Sequence, residues 1–201
     1  MNPFLDAIHG GIVAIFRGET DEVRLIDTCD ALVAAGVAAV EITLDSPGAL
    51  GTIERLAGRF QGRAHVGAGT VLDAEAAQRA VQAGAAFIVA PGLDEATVRA
   101  AQQSGTPVLP GVFTATEALT ARRLGCHAVK LFPAGPVGPG YVAALRGPIA
   151  DVAIVPTGGI GLADVRAYLG AGAHAVGLGG ALTKVPPERI GASVRQAVGD
   201  G

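Results

Sequence analysis

The chain has 201 residues, half of them hydrophobic and 16% charged, with a formal net charge of −3. That length suits one domain, residues 1–201, with enough interior for a large core. The absence of a basic cluster argues against nucleic acid, the lack of any run near the roughly 20 apolar residues of a membrane helix argues against a membrane, and the acidic start without a signal peptide points to the cytoplasm.

The elements follow in order. Asn2 to His9 predicts a short helix with Asn2 as cap and Pro3 at its first position, ended by Gly10-Gly11. Ile12 to Phe16 is a first strand, closing on Arg17-Gly18. Thr20 to Ala35 reads as a helix capped by Thr20, with Asp21 and Glu22 in its first turn and Gly36 as its stop. Val37 to Leu44 is a second strand, carrying Glu41 in an otherwise apolar run, and Ser46-Pro47 opens a helix through Leu56. His65 to Val71 is a third strand, and Asp73 begins a helix that stops at Gly84. Phe87 to Ala90 is a fourth strand, Asp94 to Ser104 a helix, and Val108 to Leu109 a fifth strand before Pro110-Gly111. Thr114 or Thr116 starts a helix ending at Gly125. The sixth strand is Ala128-Val129-Lys130-Leu131-Phe132-Pro133, followed by a short helix from Pro139 to Leu145. A seventh strand, Ala153 to Val155, leads into Pro156-Thr157-Gly158-Gly159, and Leu162 to Leu169 is helical. The eighth strand, Ala175 to Leu178, leads into Gly179-Gly180, and the last helix runs from about Pro187 to Val198.

Eight apolar strands alternating with helices imply a parallel sheet in an α/β fold. Their number suits a single-domain (β/α)8 TIM barrel with a short N-terminal helix. An open doubly wound sheet is disfavoured because no G-x-G-x-x-G follows the first strand. Cys29 and Cys126 lie in helix-like or strand-flanking segments and read as reduced, buried thiols.

In such a barrel the chemistry sits at the C-terminal ends of the strands. Arg17, Glu41, Thr70, Pro91, Lys130, Phe132, Thr157 and the two glycine pairs share that address. Lys130 and Glu41 are charges inside strand runs, where charged side chains are rare unless paired. A buried ion pair that fixes register is one reading. The other is a Schiff-base lysine, whose amine burial pushes toward the neutral nucleophile, beside a carboxylate that shuttles protons. Thr157-Gly158-Gly159 and Gly179-Gly180 follow strands seven and eight, where this fold frequently builds phosphate sites from close backbone N–H groups. Arg17 is the only arginine at such a strand end and can fork onto a carboxylate or phosphate. Thr70 can bond the same anion or cap a helix. His9, His65, His127 and His174 precede or begin strands, or lie in loops at the opposite face, and read as structural, and no His-x-His or His/Asp cluster has metal-ligand spacing.

With these residues assembled, the chain resembles the class I aldolases of 2-keto-3-deoxy-6-phosphogluconate and its galactonate epimer. The likeness covers nearly the whole chain. It rests on Val40-Glu41-Ile42-Thr43-Leu44, Gly67-Ala68-Gly69-Thr70-Val71-Leu72, Val89-Ala90-Pro91-Gly92, Val129-Lys130-Leu131-Phe132-Pro133-Ala134 and Pro156-Thr157-Gly158-Gly159-Ile160. The resemblance implies a lyase releasing pyruvate and D-glyceraldehyde 3-phosphate, with no cofactor and no metal. Lys130 would form the imine and Glu41 shuttle protons. Arg17 and Thr70 would hold the acid end of the substrate, Pro91 and Phe132 shape the pocket, and Thr157, Gly158, Gly159, Gly179 and Gly180 receive the phosphate. It also implies a homotrimer. Two departures stand out. Asp45 occupies the place of an arginine in the gluconate-type enzymes, closer to the Leu-Asn-Ser-Pro of the galactonate type. Gly180-Ala181 follows the strand-eight glycine where the family tends to have a serine, so a phosphate-gripping hydroxyl is missing. The rival readings are an aldolase of 4-hydroxy-2-oxoglutarate or another unphosphorylated 2-keto acid, a phosphate-barrel isomerase or epimerase, and a non-enzymatic anion-binding barrel.

Overall fold

The computed structural model describes residues 2–199. Helix α1 (Pro3–Ile8) begins where the Asn2 side chain accepts from the Phe4 and Leu5 amides at 3.1 and 3.4 Å. Strand β1 (Ile12–Phe16) leads to α2 (Glu22–Ala34) and β2 (Ala39–Thr43) to α3 (Ala49–Arg59). Next come β3 (His65–Gly69) with α4 (Ala74–Gln82), β4 (Ile88–Val89) with α5 (Glu95–Gln103), and β5 (Val108–Leu109). Strand β6 (Gly111–Val112) precedes α6 (Ala115–Arg123), β7 (Ala128–Leu131) precedes α7 (Pro139–Arg146), and β8 (Ala153–Pro156) precedes α8 (Val165–Gly170), which a 3-10 turn at Leu162–Asp164 introduces. After β9 (Val176–Leu178) the chain forms α9 (Gly180–Thr183) and α10 (Pro187–Val198).

Four local expectations change. The cap of α2 is Asp21, not Thr20: its carboxylate accepts from the Arg24 amide at 3.0 Å, while Glu19 takes the amides of Thr20 and Asp21. Ser46 does not open α3, which starts two residues after Pro47 behind Gly48 in the left-handed region. Its hydroxyl instead accepts from the Gly18 amide at 2.8 Å and meets Thr43 Oγ1 at 3.1 Å, tying the end of β1 to the end of β2. The fifth strand runs on past Pro110, which has no N–H and splits it into β5 and β6. Helix α9 lacks a sequence signal, being only four residues long. For the start of α6 the structure selects Thr114, through a reciprocal capping box with Glu117.

All the strand ladders are parallel. They form a six-stranded sheet in the order β5-β4-β3-β2-β1-β9 and a three-stranded sheet β6-β7-β8. One parallel bridge, Thr157 to Gly177, joins the residue after β8 to the middle of β9. Successive side chains of a strand point to opposite faces, and here both faces are buried, giving two apolar clusters. Val40 and Ile42 of β2 and Val129 and Leu131 of β7 pack outward against the helices. Val13, Ile15, Ala39, Phe87, Val89, Leu109, Ala128, Val155 and Ala175 face inward, and Phe4 and Ile8 of α1 join them. The Phe4 ring stacks on Phe87 at 4.5 Å between centroids, so α1 plugs the inner cluster.

Small residues make this interior possible. A Cβ on Gly67 would lie 2.5 Å from the Phe87 ring, so glycine in β3 is the space that a large ring from the next strand fills. Both cysteines are buried, and burial pushes their thiols up, Cys29 to about 12 and Cys126 to about 11, which leaves them as unreactive apolar fillers. No helix among the described residues is long and apolar enough to cross a membrane.

Candidate active site

The period of two in β2 and β7 decides which way the two strand charges point. Ala39 and Ala128 face inward, so Glu41 and Lys130, two residues on, face inward as well. Glu41 is 2% exposed and Lys130 5%. The two line one small cavity with Ile15, Val89, Val155 and Thr157. Lys130 lies at a junction, because it also lines an open cavity of about 720 Å³ above. Its Nζ sits 5.0 Å from the centroid of the Phe132 ring, close enough for a cation–π contact. Phe132 itself is part-exposed at the rim, just before a cis bond to Pro133.

Glu41 Oε1 is buried without a hydrogen-bond partner. An unsatisfied buried carboxyl is costly, and function is one reason to retain it. Burial raises its proton affinity above the ordinary carboxyl value of 4.5, against the opposing pull of Lys130 and then Arg17. The result is a carboxyl able to hold a proton and release it. Gly69 makes room for it, since a Cβ there would lie 1.9 Å from Glu41 Oε1. Gly69→Ala is therefore expected to displace the carboxyl, lowering thermal stability by about 1–3 kcal/mol and cutting turnover; calorimetry and activity on the purified variant check both.

The larger cavity collects Arg17, Lys130, Phe132, Thr157, Gly158, Gly159, Gly179 and Gly180 from the ends of four different strands. Gly158 and Gly159 have φ of 89° and 74°, which glycine adopts freely. A Cβ on Gly158 would strike the Phe132 ring at 2.7 Å, so that turn also needs glycine to pass the aromatic. Among the described residues no protein acceptor takes the amide hydrogens of Gly158 or Gly159. They can donate to an anion.

Two expected residues do not line this cavity. Thr70 follows β3 with φ 55°, uncommon for a β-branched residue. Its hydroxyl accepts from Arg17 Nη2 at 2.8 Å, so it holds the guanidinium from the side. Arg17 Nη1 pairs with Asp45. Both side chains of that pair are about half exposed, where an ion pair orients more than it stabilises. Pro91 stands beyond β4 and packs its carbonyl against Gly111, where a Cβ would lie 2.2 Å away. Sequence reasoning missed Glu19 and Lys184, which line the same cavity. The four histidines fall as expected, away from this cavity: His9 stacks edge-on to His174 at 4.9 Å, and the His174 ring contacts the Leu5 carbonyl at 2.8 Å.

Known proteins resemble this chain in sequence and fold. The family model for KDPG and KHG aldolase matches residues 9–191. The 2-dehydro-3-deoxy-phosphogluconate aldolase of Pseudomonas aeruginosa is 42% identical over 151 residues, covering 74% of this chain and 67% of that protein. The 2-dehydro-3-deoxy-6-phosphogalactonate aldolase of Escherichia coli is 36% identical over 169 residues, covering 84% of this chain and 82% of its own. The solved native KDPGal structure superposes with a TM-score of 0.85 at 34% identity, over 93% of this chain and 91% of that one. The KDPG aldolase of Legionella pneumophila, solved with pyruvate captured as a covalent carbinolamine, has a TM-score of 0.78 at 28% identity, over 98% and 95%. A match across nine-tenths of the sequence, joined to a buried lysine and carboxyl facing one cavity, leaves one conclusion: the chain belongs to the KDPG and KHG aldolase family.

Proposed function

We propose that this chain is a class I aldolase that cleaves a 2-keto-3-deoxy-6-phospho sugar acid, the gluconate or the galactonate epimer, to pyruvate and D-glyceraldehyde 3-phosphate. The observation that carries the reading is Lys130 of β7 and Glu41 of β2 facing one small cavity. The Lys130 amine adds to the C2 ketone, and its C–N bond forms as Glu41 protonates the oxygen. Loss of water gives a cationic imine. That cation accepts the electron pair of the C3–C4 bond as Glu41, now a carboxylate, takes the C4 hydroxyl proton, and the aldehyde leaves. The enamine left behind takes a proton on C3 through Glu41, and water then releases pyruvate and the free amine. Arg17, steadied by Thr70 and Asp45, meets the C1 carboxylate, and Phe132 covers the pocket. Thr157, Gly158, Gly159, Gly179 and Gly180 meet the phosphate. Pro91 acts at one remove, as a wall behind Gly111.

The site implies a ring. Eight β units closing into a (β/α)8 barrel over the single domain 1–201 would bring β2 and β7 opposite each other; continuity of β5 into β6 and the Thr157–Gly177 bridge support that closure. A homotrimer follows from family likeness. Pyruvate release coupled to lactate dehydrogenase, run side by side with both phosphorylated epimers and with 4-hydroxy-2-oxoglutarate, tests the reading. Turnover of a phosphorylated epimer is the expected result, and no pyruvate from any of the three overturns it.

A further inference from the structure

The chain contains 15 basic side chains besides histidine, and only Lys130 and Lys184 are lysines. Both line the larger cavity. Lys184 follows α9, is exposed, and among the described residues makes no ion pair within 4.0 Å. The carboxylate that shares the cavity, Glu19, is occupied elsewhere: its Oε1 accepts from the Thr20 and Asp21 amides at 3.0 and 3.1 Å, and its Oε2 lies 3.6 Å from Arg24 Nε.

Position 180 gives the lysine its route. A Cβ on Gly180 would lie 3.3 Å from Lys184 Cε, 3.5 Å from Cδ and 3.8 Å from Cγ. The lysine stem thus runs along the bare glycine, and a serine at 180 would crowd it. The hydroxyl that this chain lacks and the cation that it has are two sides of one arrangement.

We propose that Lys184 is a substrate-binding residue for the phosphate ester, and that the Gly180–Lys184 pair makes this chain select phosphorylated over unphosphorylated substrates; the inference rests on the lyase reading of the cavity. A hydroxyl donates to a phosphate or an alcohol on similar terms. An ammonium is a compact charge with three donors, and its bonds to phosphate are roughly twice as strong as neutral ones. It rewards the charged terminus specifically. Because Lys184 is exposed, salt screens it, so the KM for a phosphorylated substrate rises with ionic strength.

The test is the condensation direction, pyruvate with glyceraldehyde 3-phosphate or with glyceraldehyde, in wild type and Lys184→Gln. The variant is expected to lose about tenfold or more in kcat/KM for the phosphorylated aldehyde, mainly through KM, and to flatten its salt dependence. The preference for the phosphorylated aldehyde should shrink by the same factor. Equal losses on both aldehydes, or no loss on either, overturn the proposal. A second readout needs no turnover. With Lys130 and Lys184 as the only lysines, 13C-dimethylation gives two resolvable side-chain signals, and inorganic phosphate should shift that of Lys184, identified by its absence in Lys184→Gln. No shift overturns the assignment. A wild type that condenses neither aldehyde sinks the lyase reading and leaves the phosphate titration to decide Lys184.

Discussion

Lys130→Met is expected to abolish aldol cleavage, by on the order of 10⁴-fold or more, because Lys130 is the one lysine that shares a cavity with Glu41. The fold should persist. Methionine keeps the length of the stem in an inward position that is 5% exposed, and Glu41, freed of the opposing pull of Lys130, can hold its proton instead of standing as an unpaired buried charge. A cooperative melt near that of the wild type, with no detectable pyruvate, is the outcome expected. Residual turnover within a few tens of fold of wild type contradicts the assigned role.

Glu41→Gln keeps the shape of the side chain but cannot exchange a proton. Positioned acid–base help is worth about 10²–10⁴-fold, and kcat is expected to fall by that range. The same variant carries a stability signature with a definite sign. Burial raises the Glu41 proton affinity in the fold above its ordinary value of 4.5. Below that value both folded and unfolded chains hold the proton, and the carboxyl imposes no pH-dependent cost. As pH rises above 4.5 the unfolded chain releases its proton first, so the unfolded state is favoured progressively until the folded carboxyl also ionises. Glutamine lacks this loss. Measured by thermal melts across pH, the stability of the variant relative to wild type should therefore climb with pH above 4.5 and level off beyond the raised folded value. A constant gap, or one that opens toward acid, contradicts the burial of an ionisable group at 41.

Much of this site was readable because strand geometry is strict. A lone lysine and a lone glutamate in apolar runs must point to one face or the other, and the alanines two residues before each fix that face as inward. The glycine pairs after β8 and β9 were readable for a related reason, since a strand end that needs close backbone approach has few alternatives. Side chains on irregular segments were harder to see. Lys184 follows a helix of four residues that no periodicity marks, and its importance lies in a gap left by Gly180. Asp45 was visible as a departure, but its pairing with Arg17 joins loops after β1 and β2 that only the fold brings together. Ser46 resembled a helix opener and proves to be a strap between the same two strand ends. Their address put Thr70 and Pro91 at the active end of the strands, and the family resemblance gave them their places in the pocket. The structure sets Thr70 beside Arg17 and Pro91 behind Gly111. The split at Pro110 follows from a missing N–H, which sequence shows, and from a ladder that carries on beyond it, which sequence does not.

Borohydride reduction in the presence of pyruvate tests the central claim most directly, since it converts a transient imine into a permanent secondary amine. The protein offers only two lysine side chains, so peptide mass spectrometry can assign the product without ambiguity. The peptide containing Lys130 should gain the mass of the reduced pyruvyl group, in parallel with loss of activity. An unmodified Lys130, or an adduct found on Lys184 alone, would contradict the account.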